Sequence, residues 1–224
     1  MKRSLYILTV IALVLSGCKK PGPTATERIA TFLVSGWAAF EASLYSEALQ
    51  DFDDVLALEE GNVEAKVGAG WSLVMMDDGR LDSAAALLDS TVTADADWRQ
   101  DAWAGLATIR LSQQVYAQAD SLAGLTLAQD SSYVFAQNAN YGFSPDSTID
   151  WHDLLVYQAQ ARFAQSLYDA AWLAVVPLLS EVSGSPFDGV LRNDPTTWTS
   201  AGVTYTYFTE ILALAISYFS ELYR

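Results

Sequence analysis

The side chains of this chain that could do chemistry are few and widely spaced. His152 is the only histidine. It follows Asp150 and Trp151 at the expected start of a helix, a place for capping or surface residues rather than for a general base. The grouped carboxylates are Asp51 with Asp53 and Asp54, Asp77 with Asp78, and Asp95 with Asp97. None has the spacing of a calcium-binding helix-loop-helix. Two-carboxylate acid–base chemistry needs unlike, partly buried environments, whereas these residues fall at expected helix ends or on polar faces. No glycine-rich phosphate loop and no metal-binding histidine pair occurs. A single cysteine, Cys18, excludes an internal disulfide. The sequence therefore reads as non-catalytic, without a metal or a dissociable cofactor.

The chemistry of Cys18 is set by what precedes it. Lys2 and Arg3 make a basic start, and Leu5–Leu15 is an apolar run interrupted by Thr9. A bilayer span needs about 20 apolar residues, so the run is too short to cross, and its layout is that of a secretory signal peptide. The run ends Leu15-Ser16-Gly17-Cys18, which resembles the lipobox of bacterial lipoproteins. That resemblance implies a lipid on the Cys18 sulfur, cleavage just before it and acylation of the new amino terminus. Each buried methylene contributes about 0.8 kcal/mol, and stable anchoring takes at least two chains, which a family-type lipid supplies. In the family an Asp after the cysteine favours the inner membrane. Lys19 and Lys20 stand here, which points to the outer membrane, with the body facing the periplasm.

The chain has 224 residues and a formal charge of −15, with 18 Asp, 9 Glu and 12 basic residues. Loss of residues 1–17 would leave 207 residues at −17, enough for one domain or one repeat array with a sizeable core. Nucleic-acid binding relies on Lys and Arg neutralising phosphates, so no nucleic-acid partner is expected. The acids read as a solvated exterior that keeps an otherwise apolar protein soluble; the rival reading is a surface for a cation or a basic partner.

The elements that must position any site are helical in period. Residues 1–17 are read as the signal peptide, 18–25 as a lipidated tether, and 26–224 as one helical domain. Thr24 with Glu27 forms a capping-box pattern at its start, and Asn62 and Asp97 are further expected N-caps, the latter with Gln100 as its box partner. Four segments share a pattern: Tyr45-Ser46-Glu47-Ala48, Leu81-Asp82-Ser83-Ala84, Tyr116-Ala117-Gln118-Ala119 and Tyr168-Asp169-Ala170-Ala171. A large side chain opens the second helix of a hairpin, and an alanine three residues on lets the helices approach. One turn further, Phe52, Leu88 and Val175 fill the gap to the next hairpin, with the smaller Ala123 in the third. Gly36-Trp37 recurs as Gly70-Trp71, where the glycine leaves room for a neighbour.

This pattern resembles the tetratricopeptide repeat family over about residues 26–183. Lys66, Arg110 and Arg162 depart from its usual residues, and no repeat has the helix-ending proline; Pro177 lies inside an expected helix and should kink it. The resemblance implies an all-α, right-handed α-solenoid of about four helical hairpins, near 26–59, 62–94, 97–129 and 150–183. A C-terminal segment at about 204–223, apolar on nearly every face, is expected to cap the array as a buried helix. Residues 130–149 form an insertion, and 184–203 a second irregular stretch.

In that family the first helices line a concave groove. By register the groove positions are Leu33, Trp37 and Phe40, then Glu64, Val67, Trp71 and Val74 with Met75 beside them, then Asp101, Thr108 and Leu111, and finally Asp153, Gln160 and Phe163. A half-apolar groove with tryptophan anchors suits a peptide or helix of a partner protein. Helical spacing alone does not separate groove from core, so Trp37 and Trp71 are equally placed for interior packing or for cover by the C-terminal helix. The leading expectation is a periplasm-facing outer-membrane lipoprotein acting as a protein interaction scaffold or assembly factor. The alternative is a surface-exposed lipoprotein that binds glycans through the insertion aromatics Tyr133, Phe135, Tyr141 and Phe143.

Overall fold

A computed structural model of the chain describes residues 22–76, 79–95, 97–135 and 149–223. Cys18, Asp77, Asp78, Tyr141 and Phe143 lie outside these residues. Among the described residues the body is helical, with α1 Ala25–Glu41, α2 Tyr45–Leu58, α3 Val63–Met76, α4 Leu81–Thr91, α5 Arg99–Ser112, α6 Tyr116–Gln129, α7 Trp151–Ala164, α8 Tyr168–Glu181 and α9 Phe208–Leu222. Each helix from α1 to α8 packs on the next in chain order. The odd-numbered helices also touch in succession, α1 with α3, α3 with α5 and α5 with α7. The all-α expectation holds in this sense.

Local chemistry explains the start of α1. The Thr24 N–H donates to Glu27 Oε2 at 2.7 Å and the Glu27 N–H donates to Thr24 Oγ1 at 3.2 Å, so two orphan donors are satisfied reciprocally. Asn62 caps α3 through the Ala65 N–H at 2.9 Å. Asp97 does not cap α5. Its own N–H turns back to Asp95, the helix opens one residue later after Trp98, and the Gln100 amide reaches the Thr126 carbonyl.

Three of the turns within helix pairs are the same object. Ser43, Gln114 and Ser166 stand at φ of 60°, 60° and 62°. At each the helix closes with a Schellman pair: Leu44 to Ala39, Val115 to Arg110 and Leu167 to Arg162, all at 2.8 Å, enclosing a bond at 2.9 Å from the left-handed residue to Phe40, Leu111 or Phe163. The next residue is the tyrosine that opens the second helix. Before Leu81 the left-handed position belongs to Gly79, at φ 84°.

Packing between pairs rests on large side chains set against small ones. Ala48, Ala84, Ala119 and Ala171 are all fully buried. Phe52 of α2 lies between Gly36 of α1 and Gly68 of α3; a Cβ at Gly68 would come within 2.4 Å of its ring. Leu88 of α4 sits in the same way between Gly70 and Gly105, where a Cβ would meet it at 2.8 and 2.7 Å. The glycines leave room for the wedging side chain itself.

The chain departs from regular helix at two places. After α6, Tyr133-Val134-Phe135 runs antiparallel to Ile149-Asp150-Trp151. The Phe135 N–H donates to the Ile149 carbonyl at 3.1 Å and the Trp151 N–H to the Tyr133 carbonyl at 2.9 Å. After α8, which continues through Pro177 to Glu181, a short 3-10 turn leads into β1 Thr199–Ser200 and β2 Val203–Thr204. Ala201 and Gly202 join these strands with φ of 48° and 79°, the positive pair of a tight hairpin.

Helix α9 starts at Phe208, four residues later than the pattern suggests, and packs on α7 and α8. Its apolar residues are not buried on all sides. Phe208, Ile211, Leu212, Ala215, Ile216 and Phe219 form one buried stripe, while Leu214 and Leu222 face solvent.

Candidate functional site

The groove positions of the first two helix pairs are interior. Trp37 is 0% exposed and Trp71 is 1% exposed, and Leu33, Phe40 and Val67 are buried with them. Trp98 stacks on Trp37 with centroids 5.7 Å apart and planes 5° from parallel, and Phe52 meets the same ring edge-on at 4.9 Å. Both indole N–H groups are used across helix pairs. Trp37 Nε1 donates to Glu64 Oε1 at 2.8 Å, and Trp71 Nε1 donates to the Asp101 carbonyl at 3.0 Å. Val74 and Met75 are half-buried against the same core.

The C-terminal helix does not close this region; the start of the insertion does. Phe135 is 2% exposed and lies 4.6 Å from Trp71, 5.7 Å from Phe40 and 6.1 Å from Trp37, centroid to centroid. Tyr133, equally buried, donates its phenol to Asp101 Oδ1 at 2.7 Å. Burial, and then the neighbouring Asp101 carboxylate, push that phenol's pKa well up, so it stays a donor. Of the two readings open for the tryptophans, Trp37, Phe40 and Trp71 take the interior one and form an aromatic core, and two of the four aromatics expected to meet glycans are part of it. The physical reason is desolvation: rings at the tryptophan-lined face and rings in the insertion bury each other.

His152 is held as a structural residue. Its ring is stacked between Trp151 at 3.7 Å and Tyr223 at 4.4 Å, and Nδ1 lies 2.9 Å from Asp150 Oδ2. Asp150 is the N-cap of α7 and Asp153 completes its capping box. Burial raises the Asp153 pKa to about 6, with the Asp150 carboxylate adding to the shift. Asp150 serves both as the cap of α7 and as the partner of the His152 ring. No group of three or more His, Cys, Asp or Glu side chains able to hold a metal occurs among the described residues.

Open surface remains at the other end of the odd-helix face. A cleft of about 380 Å³ runs between α7 and α9 and is lined by Gln160, Phe163, Ala213, Ile216, Ser217, Ser220 and Glu221. Gln160 and Phe163 are the fourth-pair positions picked out by register. Leu111, the third-pair position, is half-exposed on α5. The cleft floor is apolar, from Phe163, Ala213 and Ile216. One wall is polar, with Gln160 Nε2 donating to Ser220 Oγ at 3.1 Å. Phe163 is fixed by Tyr168, which meets it edge-on at 5.3 Å. Its sequence neighbour Arg162 is drawn off to Asp120 at 2.8 Å and to the Ala170 carbonyl, so the local cation does not enter the cleft. The α9 lining residues carry no repeat signature; only their i, i+3, i+4, i+7 spacing on an amphipathic helix could have singled them out.

Comparison with known proteins finds no match to this chain among protein-family models, curated proteins or solved structures. No helix among the described residues is long and apolar enough to cross a membrane.

Proposed function

We propose that this protein is a lipoprotein anchored through Cys18 to the outer membrane, facing the periplasm. Its helix pairs form a right-handed tetratricopeptide-like solenoid that acts as a protein interaction scaffold. The anchor rests on the basic start, the Leu5–Leu15 run and the Leu15-Ser16-Gly17-Cys18 ending. The solenoid rests on the recurring Schellman turns at Ser43, Gln114 and Ser166, the four buried alanines and the succession of odd-helix contacts.

The binding surface of this reading is the α7–α9 cleft. The observation that carries it is a solvent-accessible recess with an apolar floor and a polar wall, at the register positions Gln160 and Phe163. Such a recess is the usual form of a helix- or peptide-docking site. The Trp37–Trp71 region is assigned a structural role, because its rings and indole N–H groups are already satisfied internally.

The test is capture of partners from detergent-solubilised envelopes with the full chain and with Ser217→Trp. Ser217 is exposed on α9, so the indole would cover the cleft without entering the core. The expected result is one stoichiometric protein partner captured by the native chain and lost with the variant. Equal capture by both would overturn the assignment.

A further inference from the structure

We infer that the α7–α9 cleft receives a lysine or arginine side chain of the partner protein. This rests on the scaffold reading above and names the chemistry of its anchor. Three observations meet at the cleft. Its polar groups offer acceptors: the Glu221 carboxylate, the Ser217 hydroxyl, and the carbonyl oxygen of Gln160, one of whose two amide N–H groups is given to Ser220. Its floor fits the stem of a long cationic side chain, since methylenes would lie on Ile216 and Ala213 and the charged head could approach the Phe163 ring.

The third observation is charge. Glu221 stands in the last turn of α9, where the helix macrodipole is already negative, and no basic residue occupies that turn among the described residues. Glu181 and Asp150 lie close enough to the same end to raise the Tyr223 pKa, after burial as the leading cause. The described cation beside the cleft, Arg162, is already paired with Asp120. Arg224 lies outside the described residues. Counted over the described residues, the charge at this end of the cleft is therefore negative, in a chain whose formal charge is −15. A cation that brings its own aliphatic stem satisfies floor and rim together. An acidic or purely apolar anchor leaves the Glu221 side uncompensated.

The experiment uses the full chain in detergent micelles and three probes, N-acetyl-arginine methylamide, its neutral isostere N-acetyl-citrulline methylamide, and N-acetyl-glutamate methylamide. Binding is followed by NMR shifts. The arginine probe is expected to saturate in the millimolar range, moving Phe163, Ser217, Ser220 and Glu221, and to bind about tenfold tighter than citrulline. Glu221→Gln should reduce that preference to threefold or less, in proportion to one exposed ion pair, and Ser217→Trp should remove the shifts. Equal binding of arginine and citrulline, tighter binding of glutamate, or no saturable shift with any probe would overturn the inference. If that occurs while Ser217→Trp still abolishes envelope capture, the scaffold reading stands and the basic anchor falls. If capture is also indifferent to Ser217→Trp, both fall.

Discussion

The Phe135 ring lies 4.6 Å from the Trp71 ring, although 64 residues separate them in the sequence. The contact joins the start of the insertion to the second helix pair, and with Tyr133 on Asp101 it makes residues 133–135 part of the fold rather than a loop laid over it.

Phe135→Ala should therefore behave as a core truncation, destabilising the chain by about 3–5 kcal/mol. Urea unfolding of the native and variant chains measures it. A loss below about 1 kcal/mol would mean that the Trp37, Phe40 and Trp71 rings are packed without Phe135.

Gly68→Ala tests the wedge. The added Cβ would sit 2.4 Å from Phe52 Cζ, closer than any unstrained contact, and helix α3 cannot withdraw without losing α1 and α5. The expected cost is about 1–3 kcal/mol, as for overpacking elsewhere. Phe52→Leu in the same chain should recover part of it, so the double mutant is less destabilised than the sum of the two single changes. Strict additivity would show that Gly68 and Phe52 do not meet.

What the sequence made legible was the local chemistry and the small-residue pattern. The Thr24–Glu27 box spans three residues, so its partners are fixed by the helix alone, and the alanines at 48, 84, 119 and 171 announce close approach whatever lies opposite. Elsewhere the deciding contacts are not local. Asp97 looked like a cap, but Gln100 found a tertiary acceptor at Thr126, 26 residues away. Trp37 and Trp71 have the spacing of a groove and of a core alike, and the deciding residue, Phe135, arrives from the insertion. The cleft needs the lie of α9 across α7, which no local pattern encodes. The β1–β2 hairpin was invisible because strands of two residues carry no alternation.

The repeated left-handed turn gives a third prediction. Ser43, Gln114 and Ser166 adopt a conformation that costs a residue with a Cβ about 1 kcal/mol or more. Replacing each with glycine should stabilise the chain by about 0.5–1 kcal/mol after the entropy of glycine in the unfolded state is counted. The sites lie on different helix pairs, so the three gains should add. Thermal and urea unfolding of the single and triple variants check this. A triple variant less stable than the native chain would rule out a strained backbone at these turns.

Asp153 gives the chain a pH dependence whose sign is fixed. Its pKa is raised from 3.8 to about 6 because burial disfavours the charged form, with the Asp150 charge acting in the same direction. Between those values the folded chain holds more protons at this site than the unfolded chain, so stability falls as pH rises from about 4 to about 6 and stays reduced above that. Asp153→Asn keeps an oxygen to accept the Asp150 N–H, a bond of 3.0 Å in the native chain, but has no charge to desolvate. The variant should be the more stable protein at pH 7 by about 1–3 kcal/mol, and the two should converge at pH 4. Taking the difference between them cancels Asp53, whose pKa is also raised, and Glu27, Asp130 and Asp194, whose pKa values are lowered and act oppositely. Urea midpoints measured across pH 4 to 7 decide it: a difference that does not change with pH means Asp153 is solvated in the folded chain.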